Sequence, residues 1–162
     1  MKFDITEVVI DHLSTLRNYR DDKISVLDIT ITFIAPLLIS ILAVPCFGMT
    51  YHSQEGNIII ALSVFAALLF NLMILILDKN KNATDIEKDQ LNEIYYNISY
   101  CILVALFDIS LLLLLSIINK SSFLILLCAI RLLSLFLLLN FFTTMLLILK
   151  RMHKVIKNKI NK

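Results

Sequence analysis

The sequence predicts an all-α polytopic membrane protein with four transmembrane helices. Hydrophobic residues make up 59% of the 162 residues and charged residues only 17%, whereas roughly 45–50% apolar residues are usual in a soluble domain. Only two glycines and two prolines occur, which excludes collagen-like, linker-like and turn-rich β architectures. The abundance of large aliphatic residues also excludes intrinsic disorder. The class that remains is a helical bundle whose apolar surface faces lipid.

Four apolar runs are each long enough to cross a membrane, because a hydrocarbon core of about 30 Å needs about 20 helical residues. They cover residues 26–47, 57–77, 97–118 and 123–149. Polar residues 1–25 precede the first run, and a basic tail at 150–162 follows the last one. The predicted organisation is therefore a cytoplasmic helix, a four-span bundle over 26–149 and a cytoplasmic tail.

Lysines and arginines are distributed unevenly among the segments that flank the runs. Thirteen lie before the first run, between the second and third, or after the fourth, and one, Lys120, lies in the other two connections. Because basic flanks stay in the cytoplasm, both termini and the 78–96 connection are expected on the cytoplasmic side. The membrane is expected to be a bacterial cytoplasmic (inner) membrane. The outer connections, Gly48 to Gly56 and Asn119 to Ser122, are too short for a folded domain.

The N-terminal segment has the pattern of an amphipathic helix. Its apolar residues recur at helical spacing, with charged residues between them: Ile5, Val8, Val9, Leu13 and Leu16 against Glu7, Asp11, Arg17 and Arg20. Two interpretations stay open. The helix packs beneath the bundle or on the membrane surface, or it is a docking site for a partner protein.

The third span is expected to extend beyond the membrane. Thr84 and Glu87 have the spacing of a capping box, in which each side chain satisfies a free backbone N–H of the other residue. This predicts one helix from about 85 to 118, roughly 50 Å long. The tail is expected to continue the fourth span as a basic amphipathic helix that faces lipid headgroups through Lys150, Arg151, Lys154 and Lys157.

Two ionisable residues lie at membrane depth, where a charge is costly and by default indicates a functional site. Asp108 is about 15 Å and Arg131 about 12 Å below the outer turn that joins the third and fourth spans. We therefore expect the two residues to form an intramembrane charge pair. Such a pair either fixes the register of the hairpin, as buried pairs can do, or acts as a gate in an ion or proton pathway.

A second polar layer is expected nearer the cytoplasmic side, at Asn71, Asn140, Thr143 and Thr144. Asn140 is nine positions after Arg131, which is about half a turn around the helix. The fourth span is therefore polar on two opposite sides and needs partners on both. The third span supplies one of them. The second span, through Asn71, or a neighbouring subunit supplies the other, which favours a homo-oligomer held by amide hydrogen bonds.

The first span carries a polar stripe of Ser25, Asp28 and Thr32 near its cytoplasmic end. Pro36 lies near its middle and is expected to kink the helix, because proline removes one backbone hydrogen bond.

No metal signature, phosphate-binding glycine loop or Cys-x-x-Cys motif occurs in the sequence. We therefore expect no cofactor, no metal and no enzymatic activity. The basic tail is short and does not favour nucleic-acid binding.

Small four-span bacterial proteins with cytoplasmic helices include membrane effectors of anti-phage systems, and the chain resembles that class in its size and layout. The resemblance implies an oligomeric, channel-like or membrane-perturbing effector that is controlled from the cytoplasm. The alternative is a non-catalytic anchor or accessory subunit that recruits a cytoplasmic partner through residues 1–24 and 80–96.

Overall fold

A computed structural model of the chain describes residues 5–16, 25–81, 84–117 and 124–160. Across these ranges the chain is helical and contains no strand. In chain order the helices are α1 (Ile5–Thr15), α2 (Val26–Ile29), a π-helical turn (Thr30–Ile34), α3 (Ala35–Ser53), α4 (Glu55–Asn80), α5 (Asp85–Ile117) and α6 (Leu124–Ile160). The first membrane-length helix comprises α2, the π-helical turn and α3, which follow one another without a break. Four helices are thus long and apolar enough to cross a membrane, as predicted.

The start of α5 and the end of α6 agree with the helix ends predicted from the local sequence. The backbone N–H of Thr84 donates to the Glu87 carboxylate over 3.2 Å, so the predicted cap does begin α5. The helix has 33 residues, which gives the expected length of about 50 Å. α6 runs through the predicted tail to Ile160 as one helix of 37 residues.

The predicted loop from Gly48 to Gly56 is wrong, because α3 ends at Ser53 and α4 begins at Glu55. Gln54 alone therefore joins the two helices, and Gly48 lies inside α3. A continuous helix satisfies backbone groups internally, which is the condition that an apolar environment imposes. The predicted outer turn at 119–122 lies outside the described residues.

α5 is the central helix of the bundle. It packs against α4, α6 and α1, and α6 packs in turn against α3. Half of the most apolar window of α5 is buried, against 17% in each of the first two membrane-length helices. Those two helices therefore present most of their apolar side chains to the surroundings, as a lipid environment permits. Because α1 lies on α5, the N-terminal part of α5 and the C-terminal part of α6 form what we call the α1 end of the bundle.

The buried side of α1 differs from the predicted apolar stripe. His12 and Leu16 are completely buried and Thr15 nearly so, whereas Ile5 and Leu13 are 49% and 43% exposed. The helix forms as predicted, but it turns two polar side chains toward the bundle. Polar partners on α5 and α6 account for this rotation, as the next section shows.

Candidate functional site

Buried polar side chains from four parts of the chain meet at the α1 end of the bundle. They lie on α1, in the π-helical turn, on α5 and on α6, and each is at most 7% exposed. We call them the α1 cluster: His12, Thr15, Thr32, Asn97, Tyr100 and Asn140. A group of this kind forms in an apolar interior only when its members hydrogen-bond one another, and the contacts below show how they do so.

Asn97 of α5 joins α1 to the bundle. Its amide oxygen accepts from His12 Nδ1 over 2.7 Å and from the Thr15 hydroxyl over 2.9 Å. Its amide nitrogen donates to the Glu93 carbonyl over 2.7 Å, which fixes the orientation of the amide. Because the amide oxygen can only accept, His12 Nδ1 must carry the ring proton of a neutral imidazole. His12 Nε2 is then an acceptor, and it is buried without a hydrogen-bond partner among the described residues.

The His12 ring is held in its neutral form. It stacks on the Tyr100 ring with centroids 3.8 Å apart and planes 2° from parallel. The pKa of His12 is lowered from 6.5 to about 4, chiefly because the ring is buried; the hydrogen bond to Asn97 partly opposes this shift, and the positive charge of Arg151 adds to it. A protonated ring here would place a poorly solvated charge beside another cation, so docked α1 requires the neutral ring.

The cluster continues from Tyr100 through Asn140 to the first membrane-length helix. The Tyr100 hydroxyl donates to the Asn140 amide oxygen over 3.0 Å, and the Asn140 amide nitrogen donates to the Thr32 carbonyl over 2.8 Å. Pro36 explains why that carbonyl is available, because a proline four residues later has no N–H to donate. A π-helical turn at Thr30–Ile34 precedes Pro36, and an amide from α6 supplies the donor that the proline lacks; the kink itself stays a prediction.

Arg151 connects the C-terminal end of α1 to the long helices. Its Nη2 donates to the Thr15 carbonyl, and its Nη1 lies 3.4 Å from a Glu93 carboxylate oxygen. The Asp28 carboxylate also acts on it electrostatically. A cation at the last carbonyls of a helix satisfies free acceptors and opposes the helix dipole. The predicted headgroup-facing role is therefore wrong for Arg151, whereas Lys150, Lys154 and Lys157 are exposed.

The predicted charge pair within the membrane is replaced by a hydrogen bond. The Ser134 hydroxyl donates to Asp108 over 2.5 Å, and both side chains are buried. Within the described residues, Asp108 forms no ion pair with Arg131, and the Arg131 Nε atom is buried without a partner. Ser134 is one helical turn beyond Arg131. A small rotation of α6 relative to the expected orientation therefore brings the hydroxyl, and not the guanidinium, to Asp108.

A double-mutant cycle distinguishes these two partners. We expect a coupling free energy of about 0.5–3 kcal/mol between Asp108→Ala and Ser134→Ala, because each removes the other's hydrogen-bond partner. Asp108→Ala and Arg131→Gln should be additive within about 0.5 kcal/mol. Thermal unfolding in detergent measures both. A strong coupling between Asp108 and Arg131, with none to Ser134, would restore the predicted ion pair.

The second predicted polar layer is only partly assembled. Asn71 is exposed on α4 and does not join Asn140. The Thr143 and Thr144 hydroxyls each donate over 2.9 Å to the Asn140 carbonyl in their own helix. The Asn140 side chain thus contacts the first membrane-length helix and α5, and the predicted contact with Asn71 of the second span is wrong. Of the first-span stripe, Ser25 accepts from the Asp28 N–H over 3.3 Å and begins α2, and Thr32 is buried.

The sequence reasoning missed His12, Thr15, Asn97 and Tyr100. A sequence signal for them was present, because His12 and Thr15 are polar residues one helical turn apart, and so are Asn97 and Tyr100.

In the part of the chain that the structure describes, no group of three His, Cys, Asp or Glu residues is arranged to hold a metal ion. Comparisons with models of protein families, with curated proteins and with solved structures give no match to this chain. Functional argument therefore depends on the α1 cluster itself.

Proposed function

We propose that the chain is an oligomeric channel-like or membrane-perturbing effector controlled from the cytoplasmic side, with α1 as its control element. The observation that carries the proposal is the attachment of α1, a helix outside the candidate spans, by buried polar contacts to Asn97 and Arg151. The resemblance to membrane effectors of anti-phage systems supports the same class of function.

A polar attachment suits a control element because it favours two discrete states of α1, docked on the bundle and released from it. If α1 leaves, the amide of Asn97 and the guanidinium of Arg151 lose partners together, and a partly satisfied buried network is unfavourable. Intermediate positions of the helix are therefore unstable. A cytoplasmic partner or ligand that binds only one state of α1 would shift the population between them.

Any ion path would lie between copies of the chain. The polar groups of the α1 cluster bond to one another and leave little to line a path through one bundle. The first two membrane-length helices present large apolar side chains outward, among them Leu42 at 72%, Leu75 at 67% and Ile60 at 65% exposure. Such faces contact either lipid or a second copy of the chain, so α3 and α4 are the expected assembly surfaces.

Releasing α1 should increase membrane activity. In cells that express the chain, Arg151→Gln is expected to accelerate loss of membrane potential several-fold, because it removes the contacts to Thr15 and Glu93. Lys150→Gln is the matched control, since it removes the same charge from an exposed neighbour. A potential-sensitive dye gives the measurement, and hydrogen exchange of α1 reports its release. If α1 is released and the potential persists, the effector proposal fails.

The orientation proposed from the basic flanks has its own test. In a variant without native cysteines, a cysteine at the exposed turn residue Gln54 should react with an impermeant thiol reagent in intact cells, because Gln54 would face outward. A cysteine at exposed Asp89 of α5 should react only after the cells are opened. The opposite pattern of labelling would place both termini outside.

The alternative function is an anchor or accessory subunit that recruits a cytoplasmic partner through residues 1–24 and 80–96. One observation favours it: described side chains from both segments line a common cavity. In that case Arg151→Gln would weaken recruitment of the partner and leave the membrane potential unchanged.

A further inference from the structure

A polar cavity of about 340 Å³ lies between α1 and the N-terminal part of α5. Glu7, Val8 and Asp11 line it from α1, and Tyr95, Tyr96 and Ser99 line it from α5. It differs from a second cavity of about 360 Å³ between α4 and α6, whose lining residues are all apolar. The first cavity therefore has the small set of converging polar groups that is typical of a ligand site.

The charged side chains among the described lining residues are both acidic. Glu7 and Asp11 are four residues apart, so both carboxylates lie on one side of α1. Among the residues that the structure describes, no basic side chain lines the cavity, and neither carboxylate forms an ion pair with another of them. A cation that enters the cavity would meet two carboxylates and no cation from these described walls.

The aromatic walls select the kind of cation. The Tyr95 and Tyr96 rings meet edge to face, with centroids 6.0 Å apart and planes at 66°. Both side chains are only half-buried, so packing against the bundle leaves part of each ring available. Aromatic faces attract organic ammonium groups, which are weakly hydrated. A divalent metal ion makes no use of aromatic faces and would have to complete its coordination shell with water, because the described residues form no group of three His, Cys, Asp or Glu side chains here.

We propose that this cavity binds an organic ammonium group, supplied either by a soluble amine or by the headgroup of a zwitterionic lipid. The two carboxylates would neutralise the positive charge, and the two tyrosine rings would contact its alkyl substituents. Because α1 and α5 each supply one half of the site, a bound ammonium group also favours docked α1. This regulatory consequence rests on the proposed function of α1 as a control element, whereas the binding site itself does not.

Titration calorimetry on the purified full-length chain in lipid-free detergent tests the site, with choline and spermidine as probes. Saturable binding of at least one amine is expected. It should weaken roughly tenfold in Tyr96→Leu, the order of magnitude that one cation–π contact contributes, and more in the double variant Glu7→Gln with Asp11→Asn. Asp89→Asn, which removes an exposed carboxylate of α5 outside the cavity, is the matched control and should bind like the wild type.

Nanodiscs identify the source of the ammonium group. If a lipid supplies it, discs that contain phosphatidylethanolamine should weaken amine binding relative to discs of phosphatidylglycerol alone. Equal binding in the two discs assigns the site to a soluble amine. Failure of both probes to bind, or unchanged affinity in the carboxylate double variant, would overturn the proposal. Because detergent binding needs no membrane activity, this outcome is distinguishable from failure of the effector function.

Discussion

Replacing Asn140 by leucine should destabilise the folded chain by about 2–4 kcal/mol, although leucine is the more favourable residue in a lipid environment. Two buried groups lose their partner, the Tyr100 hydroxyl and the Thr32 carbonyl. Leaving a buried polar group unsatisfied costs about 1–3 kcal/mol, more than the roughly 0.6 kcal/mol that an average interhelical hydrogen bond contributes in a membrane. The larger value applies because Pro36 has no N–H for the Thr32 carbonyl, which therefore lacks its usual α-helical donor.

Thermal unfolding in detergent measures this effect, and Asn71→Leu is the matched control. The same substitution at an exposed position of α4 removes no described partner and should leave stability unchanged or slightly higher. A second variant tests the role of proline. Pro36→Ala in the Asn140→Leu background supplies a backbone N–H one turn after Thr32, so part of the lost stability should return. Equal stability of Asn140→Leu and Asn71→Leu would contradict the compensation that the structure shows.

The sequence was sufficient for features that depend on local composition. Apolar runs of about 20 residues predicted the four long helices, and the Thr84–Glu87 spacing predicted where α5 begins, because helix length and capping are decided within a few residues. The missing N–H donor at Pro36 was predictable for the same reason. Each of these features is independent of the helix that packs beside it.

Which side of each helix faces the bundle interior was not predictable in the same way. Asn71 and Asn140 are the same residue type in predicted spans, yet one is exposed and the other completely buried. α1 shows the same difficulty, since His12 and Thr15 face inward while Ile5 and Leu13 face outward. Hydrophobic periodicity identifies the buried side of a helix in water, but lipid makes apolar side chains favourable on the outside as well.

The rotation of neighbouring helices also determines which polar groups meet. Asp108 is completely buried and accepts a hydrogen bond. Its partner is Ser134 and not Arg131, a difference of one turn along α6. Depth along the membrane can be counted from the sequence, because the rise per residue is fixed. The angle of each helix about its own axis depends on all of its packing contacts and cannot be counted in that way.

Acidification should release α1, with His12 as the residue responsible. The ring of undocked α1 takes up a proton near pH 6.5, whereas the docked ring stays neutral down to about pH 4. The undocked state therefore binds the proton first, and the docking free energy falls as the pH drops from 6.5 to 4 and levels off below that. The full loss is about 3 kcal/mol, since each unit of pKa difference is worth about 1.4 kcal/mol.

Hydrogen exchange of the α1 amides as a function of pH gives the measurement, after correction for intrinsic exchange rates. Arg151 of α6 is the charged group that acts directly on His12, and Glu93 of α5 and Asp28 of α2 act in turn on Arg151. His12→Phe separates the contributions, because it keeps an aromatic ring against Tyr100 and removes only the titrating nitrogens. In that variant most of the loss of protection between pH 6.5 and 4 should disappear. If wild type and His12→Phe lose α1 protection over the same pH range, protonation of His12 does not control the docking of α1.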